Sequence, residues 1–497
     1  MISFSFVFCG SLLVYCLLNV YIYLERRKYK HLKSPPIPPS PIWFLGALPE
    51  FLRYTKIAKG VPLYEFYKVY GWELFVVPIF TRNFIFCMDL EIIYKVCNDR
   101  ITFPKSDEIR KTFGSLAGER IFGPHGLLND PGSNLWQAKR KAVDPAFHKA
   151  ALKTISSDLN MVTDRLINRL KCNYSTDTVN VFEEFVRTGF EIISVAGFNW
   201  SPEFLEKHGE ETLKQAVTVI DTISLAFREN LTFELPWSRR QEKQKLKEIL
   251  PKIRGLTETH LCNRLKNQSN GENDILSHII RSNGCSDQLT TDDLIDEYLL
   301  FLLAGMDTTA IAMSITLFYL AAYPKVLRRA RQEVDEVFGD KEELTFEDLN
   351  KLVYLEMVIK ETLRLKPPAA WTARQCKKHN VVINGCKIPK EAEIFVPIKE
   401  IHRDPSHWER PEEFHPDRFS TETRQNGKKT PFLAFSLGQR RCIGRNFAML
   451  EVKTIVSRII REFEVESVDP NVKDVEVAGA VTSRPLKGVR VRLSERK

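Results

Sequence analysis

No two of the chain's ten cysteines form a CxxC pair, and no zinc-ligand spacing occurs. Scattered cysteines in a long chain argue for a reducing compartment rather than a disulfide framework. No segment repeats at a fixed period, which excludes a solenoid. No basic cluster is interleaved with aromatics, so no nucleic-acid partner is expected. No Pro/Ser-rich linker divides residues 50–497, which favours one large catalytic domain over several.

What is present is a globular composition, 43% hydrophobic and 27% charged, with a formal net charge of +9 from 72 basic and 63 acidic residues. A surplus of that size suits an acidic protein partner or a membrane surface. Residues 2–24, "ISFSFVFCGSLLVYCLLNVYIYL", carry no charge, and about 20 apolar residues span a bilayer. Arg26, Arg27, Lys28, Lys30 and Lys33 follow at once, which places the remainder on the cytoplasmic side. With no basic stretch before the run and no A-x-A site after it, the segment reads as an uncleaved anchor over 1–24. A basic stop-transfer and Pro-rich hinge covers 25–49; its "SPPIPPSP" (34–41) is a stiff extended spacer. Sequons at Asn173, Asn230 and Asn267 would matter only in a secretory lumen.

The pattern beyond residue 50 is mainly α with small β-sheets. Thr290 and Asp293 form a capping-box start, and an apolar run continues until Pro324. At 1.5 Å per residue this helix is about 50 Å long and should cross the protein interior. A second helix starts at the capping box Thr345/Asp348 or a little after, with the apolar stripe Leu352, Leu355, Ile359 and Leu363, ending before Pro367–Pro368. Short β-rich stretches lie at 74–80, 84–87, 380–389, 393–398 and 488–493.

The chemistry centres on "FSLGQRRCIG", residues 435–444. Ala448, Val452, Ile455 and Ile459 follow at helical spacing, so Cys442 sits at a helix N-terminus, where backbone N–H groups and the dipole stabilise a thiolate. Gly438 and Gly444 permit a tight turn and close approach of a flat group. Arg440 suits bidentate pairing with a carboxylate. Thiolate, glycine turn and arginine describe a seat for haem.

The spaced pattern Phe435-x-x-Gly438-x-Arg440-x-Cys442-x-Gly444 resembles the haem-binding loop of the cytochrome P-450 superfamily. Glu361 and Arg364 in "ETLR", with Arg418 in "PDRF", resemble that family's structural Glu–Arg–Arg brace. Trp136 and Arg140 in "WQAKR" resemble its WxxxR helix, and both would reach a haem propionate, as would Arg374. "AGMDTT" (304–309) resembles the oxygen-binding motif: Ala304 and Gly305 for room over the iron, Thr308 for a hydrogen bond on the oxygen side, Asp307 for relaying protons from solvent. The passages 136–149, 346–369 and 435–453 are most similar to the cholesterol 24-hydroxylase branch.

The resemblance implies a single cytochrome P-450-type domain over 50–497 holding haem b, with Cys442 as the axial iron ligand and Phe435 and Ala448 beside the cofactor. It implies a monooxygenase of the endoplasmic reticulum membrane, fed by NADPH through a flavoprotein reductase. Lys139, Lys141, Arg441 and Arg445 are the candidate contacts for that reductase. The pocket expected from position relative to the motifs comprises Phe301, Ala369, Ala370, Trp371, Val481 and Thr482, with Ala304 and Thr308. An apolar pocket suits a lipophilic substrate; sterols, fatty acids and foreign lipophiles stay open. Two other functions are compatible with a haem-thiolate seat: an isomerase or dehydratase of lipid peroxides, and a non-catalytic haem carrier.

Overall fold

Side-chain caps, as much as apolar content, set where the principal helices begin. The structure, a computed structural model, describes residues 2–34, 47, 73–79, 82–107, 127–128, 133–173, 178–230, 240–266, 274–283, 290–420, 431–479 and 481–496. The helices used below are α1 (Ile2–Arg27), α2 (Leu90–Asn98), α3 (Asn134–Val143), α4 (Val181–Ile192), α5 (Pro202–Asn230), α6 (Thr291–Ala322), α7 (Val353–Leu365) and α8 (Arg445–Glu462). Among the described residues, four sheets accompany them. The largest has strand order β1 (Leu74–Ile79), β2 (Arg82–Cys87), β7 (Glu393–Val396), β4 (Thr372–Gln375). Strand β2 runs parallel to β7, with Ile85 opposite Ile394, and the other two pairings are antiparallel. The short pairs β5–β6 (Val381–Ile383, Cys386–Ile388) and β9–β10 (Val477–Ala478, Arg484–Pro485) are hairpin-like fragments. The three-stranded sheet is β3 (Val179–Asn180), β11 (Arg490–Glu495), β8 (Phe463–Ser467).

Helix α6 is the axis of the molecule. The Thr290 hydroxyl accepts from the Asp293 N–H at 3.2 Å, and the Asp293 carboxylate accepts from the Thr290 N–H at 2.9 Å, completing the expected capping box. Among the described residues α6 is long and apolar enough to cross a membrane, but 83% of its most apolar window is buried inside the protein. Its surroundings are α4, α7, α8 and β8. Helix α4 packs closest: a Cβ at Gly189 would approach the Met306 carbonyl to 2.8 Å, so only glycine allows the two backbones to meet there.

The second predicted helix is two. The Thr345/Asp348 capping box closes a one-turn helix, Phe346–Leu349, and α7 starts afresh at Val353. The box is satisfied within that single turn, so it marks a start without fixing what grows from it.

Helix α1 presents Leu17, Val20, Tyr23 and Leu24 outward, each at least 49% exposed, and Asn19 buries its amide need by donating to the Tyr15 carbonyl at 2.8 Å. The basic stretch after it is fastened to the sheet. Tyr29 and Leu32 are buried among β-strand residues, and the Val76 N–H donates to the Lys33 carbonyl at 2.8 Å. The proline-rich spacer beyond Ser34 lies outside the described residues, as do the side chains of Asn173 and Asn230 and the whole of Asn267.

Candidate functional site

The brace is the most buried part of the site. Glu361 and Arg364 lie three apart on α7, both with no exposed side-chain surface. Glu361 accepts two hydrogen bonds from Arg364, at 2.8 and 2.9 Å, and a third from Arg418 Nε at 3.0 Å. Arg364 spends its remaining donors on the carbonyls of His402, Pro411 and Glu413. One ion-paired group thus gathers the 402–418 segment onto α7. His402 carries the connection onward: its Nε2 accepts from the Leu433 N–H at 2.7 Å, which leaves Nδ1–H to donate to the Arg364 carbonyl at 3.1 Å. Burial, with Arg364 beside it, lowers the imidazole pKa to about 3, so this histidine is neutral and serves as a fixed bridge from α7 to the segment that enters the cysteine loop.

In that loop, the Cys442 N–H donates to the Phe435 carbonyl at 2.9 Å. Helix α8 begins three residues after the cysteine with Gly444 as N-cap. Burial pushes the Cys442 thiol pKa up, while the Gly444 N–H, Arg140 and Arg445 pull it down. Cys442 is nevertheless among the exposed residues, and a bound metal would deprotonate its thiol. Arg445 lies 5.7 Å from the centroid of the Phe435 ring.

The loop glycines differ in what they do. Gly438 has φ +69°, and a Cβ on it would overlap the Cys97 carbonyl at the end of α2. Its absent side chain serves the close approach of loop to helix, not room for a flat group as expected from sequence. Gly444 has only Phe147 and the Cys442 sulfur within 4.0 Å of such a Cβ.

Ser133 caps α3 by accepting from the Trp136 N–H at 3.1 Å. The Trp136 indole donates to the Leu127 carbonyl, and Arg440 donates to the same carbonyl while stacking 4.1 Å from the Trp136 ring centroid. The Leu127 N–H is held by Glu297 of α6, which also pairs with Lys139 at 3.1 Å. Lys139 is therefore a buried partner of Glu297 and not an exposed reductase contact; Lys141, Arg441 and Arg445 are exposed. Arg140 donates to the Arg441 carbonyl at 3.1 Å and lies 3.5 Å from Asp144, near the sulfur.

Arg374 is 1% exposed on β4. It donates to Thr372 Oγ1 and the Ala373 carbonyl, and its Nη2 has no partner among the described residues. Lys105, which sequence reasoning missed, pairs with Arg374 across an isolated antiparallel bridge. Burial, Arg374 and Arg440 all depress its ammonium pKa well below the usual lysine range. Three basic side chains brought this close offer a seat for an anion. A flat dicarboxylate fits that chemistry, and an accessible thiol in the adjoining loop fits its iron. The residues present are those that haem needs.

The α6 motif divides between two faces. Ala304 is exposed and Thr308, one turn on, is half-buried, with its hydroxyl donating to the Ala304 carbonyl at 2.9 Å. Gly305 lies on another face: a Cβ there would come within 3.1 Å of Ile193, in the π-helical turn Ile193–Gly197 that follows α4. Gly305 thus makes room for a neighbouring helix, which corrects its expected place over the iron. Asp307 is 1% exposed and ion-paired to Arg484, its Nε–Oδ1 distance being 2.7 Å.

Of the expected pocket residues, Phe301 is buried and stacked on Phe147 with ring centroids 5.7 Å apart. Ala369, Ala370, Trp371, Val481 and Thr482 are all half-buried, and the Ser483 N–H bond to the Pro368 carbonyl, at 2.8 Å, brings the two segments together. Trp371 packs on Phe395. Thr482 Oγ1 is a buried hydroxyl without a partner among the described residues. Ala448 is half-buried in the first turn of α8.

Behind Cys442, on α8, Glu451 is 1% exposed and its carboxyl pKa is raised to about 8 by burial, against a hydrogen bond with Thr309. Thr309 donates to the Gly305 carbonyl at 2.7 Å, so the protonated Glu451 can donate in turn to Thr309. The sign follows from linkage. The folded protein holds this proton more tightly than the unfolded chain, so the stability it contributes is full below about pH 4.5 and is lost as pH rises through about 8. Glu451→Gln, which cannot ionise, is expected to gain on the native chain across that window by about 4 kcal/mol. Denaturant melts at pH 5 and at pH 8.5 check this; an equal difference at both would show that Glu451 is already ionised.

Comparison with known proteins gives a consistent result. The family described as "Cytochrome P450" matches residues 35–489. Mouse cytochrome P450 4V2 is 30% identical over 428 residues, covering 82% of this chain and 80% of the relative. Rat cytochrome P450 3A2 is 26% identical, covering 89% and 88%. The crystal structure of the cytochrome P450 CYP102L1 superposes with a TM-score of 0.78 at 26% identity, over 94% of this chain and 99% of that one.

Proposed function

The chain belongs to the cytochrome P450 family of haem-thiolate monooxygenases, and from that premise we propose that it hydroxylates a lipophilic small molecule, of sterol type or similar, with O₂ and electrons from NADPH delivered by a flavoprotein reductase. The observation that carries the proposal is the exposed Cys442, set before α8 with its thiolate favoured by the Gly444 N–H, Arg140 and Arg445, beside the basic cluster of Arg374 and Lys105. Haem bound there supplies O₂ activation and insertion of one oxygen into a C–H bond.

The chain's own residues have separate tasks. Cys442 would ligate the iron, with Gly444, Arg140 and Arg445 favouring its negative charge. Arg374, Lys105 and Arg440, with Trp136 packed under Arg440, would hold the propionates. Phe435 and Ala448 would lie beside the cofactor, and Ala304 would leave space for dioxygen. The Thr308 hydroxyl can exchange its bond to the Ala304 carbonyl for one to a ligand, and Asp307 passes protons to that side. Ala369, Ala370, Trp371, Val481 and Thr482 present apolar surface with a single unpartnered hydroxyl, which suits a substrate with one polar oxygen. Phe301 shapes the pocket from behind through Phe147.

Helix α1 is proposed as the endoplasmic reticulum anchor over 1–24, with the 25–49 segment as its connection and 50–497 as a cytosolic domain. Its outward Leu17, Val20, Tyr23 and Leu24 and the terminal Arg26–Arg27 support this. Lys141, Arg441 and Arg445 offer exposed positive charge for the reductase. The experiment is a binding-spectrum screen against sterols, fatty acids and terpenoids, then turnover of each binder with NADPH and purified reductase. A hydroxylated product that requires both is expected; conversion of a lipid hydroperoxide without reductant, and no other product, would establish the isomerase instead.

A further inference from the structure

Asp307, the proton relay of the proposed function, is held by an arginine that the family motifs do not include. Arg484 lies on β10, remote in sequence from α6, and its Nε donates to Asp307 Oδ1 at 2.7 Å. The same guanidinium contacts Asp221 on α5 through Nη1. Asp307 Oδ2 is buried and has no hydrogen-bond partner among the described residues. A carboxylate is thus pinned at one oxygen and open at the other. We propose that Arg484 is the positioning residue for Asp307, pinning Oδ1 so that Oδ2 alone is left for proton transfer, and that Asp221 makes this arrangement depend on the place of α5.

Three features support the assignment. Arg484 is only 15% exposed and Asp307 2% exposed at the side chain, so their attraction is weakly screened. Asp221 is 57% exposed, which makes it the end of the chain of charges that meets solvent. Helix α5 packs on α4 and on the helix Arg240–Lys266, so the Asp221 contact ties Arg484 to that pair of helices. The charged groups facing Asp307 are Arg484 directly and Asp221 through it, with Lys245 of the helix Arg240–Lys266 acting on Asp221.

The proposal rests on Asp307 being the proton relay, and the test separates the two. Arg484→Gln, Arg484→Lys, Asp307→Asn and the double variant Asp307→Asn/Arg484→Gln are compared as haem-loaded, full-length protein. Removing Arg484 leaves a buried carboxylate without its cation. Arg484→Gln is therefore expected to lower the melting temperature, and Asp307→Asn in the same chain to restore most of it. In turnover, Arg484→Gln is expected to lower product formed per NADPH on the order of tenfold at an unchanged substrate-binding spectrum, as loss of an aligned acid–base group does. Arg484→Lys should recover part of both. A loss that Asp307→Asn does not rescue, or wild-type coupling in Arg484→Gln, overturns the proposal alone. A rescued melting cycle with Asp307→Asn fully coupled overturns the relay role of Asp307, and this proposal with it.

Discussion

Glu361→Ala is expected to give protein that accumulates poorly and carries little or no haem. The physical reason is that Glu361 is the common acceptor for two buried arginines, taking three hydrogen bonds from Arg364 and Arg418 and a fourth from the His415 N–H at 2.8 Å. Removing it leaves two desolvated guanidinium groups without a counter-charge. Breaking one partner out of a buried ion pair costs about 3–5 kcal/mol, a large share of the 5–15 kcal/mol that a typical domain possesses. The damage would not stay local. Arg364 also holds the carbonyls of His402, Pro411 and Glu413, and His402 in turn fixes Leu433 just before the cysteine loop. Glu361→Gln keeps the shape and an acceptor but not the charge, so it should be milder. Haem content per protein and denaturant melts measure both; native-like values for Glu361→Ala would show that the brace is dispensable.

The second large effect is expected from Cys442→Ala. With the sulfur gone, the loop offers no iron ligand, while the Cys442 N–H bond to the Phe435 carbonyl and the start of α8 are backbone features that alanine keeps. The fold should survive and the thiolate signature should not. Reduced protein under carbon monoxide is expected to lose its red-shifted Soret band entirely, with turnover falling to background, while the far-ultraviolet circular dichroism is unchanged. Any of the other cysteines that could replace it would have to be close and accessible; Cys87, Cys97 and Cys376 are buried.

These two effects concern the parts of the site that the sequence made plain. Glu361 and Arg364 are three residues apart, and the loop motif is contiguous, so short-range spacing carries their geometry. The capping box at Thr290 likewise announces the start of α6, because both of its hydrogen bonds are local. What was illegible depends on contacts between distant positions. Lys105 is a lone lysine in the sequence and joins the basic cluster only when it bridges to Arg374. Arg484 meets Asp307 across 177 residues. Lys139 looks like surface charge beside Lys141, yet a helix turns the two in different directions, and the inward one meets Glu297. The glycines teach the same point. The missing side chains of Gly305 and Gly438 suggest cofactor space in the sequence, but the absent Cβ atoms face Ile193 and the Cys97 carbonyl. A missing side chain reveals that something passes close by, and the identity of that neighbour lies elsewhere in the chain.

The claim that joins all of this is that the Cys442 site inserts one atom of O₂ into a bound lipophile. It is tested most directly with isotopically labelled O₂, NADPH, reductase and a compound selected by its binding spectrum, followed by mass spectrometry of the product. The account predicts one labelled oxygen atom in each product molecule and no product from Cys442→Ala. Product formed without incorporated label, or formed equally by Cys442→Ala, would contradict it.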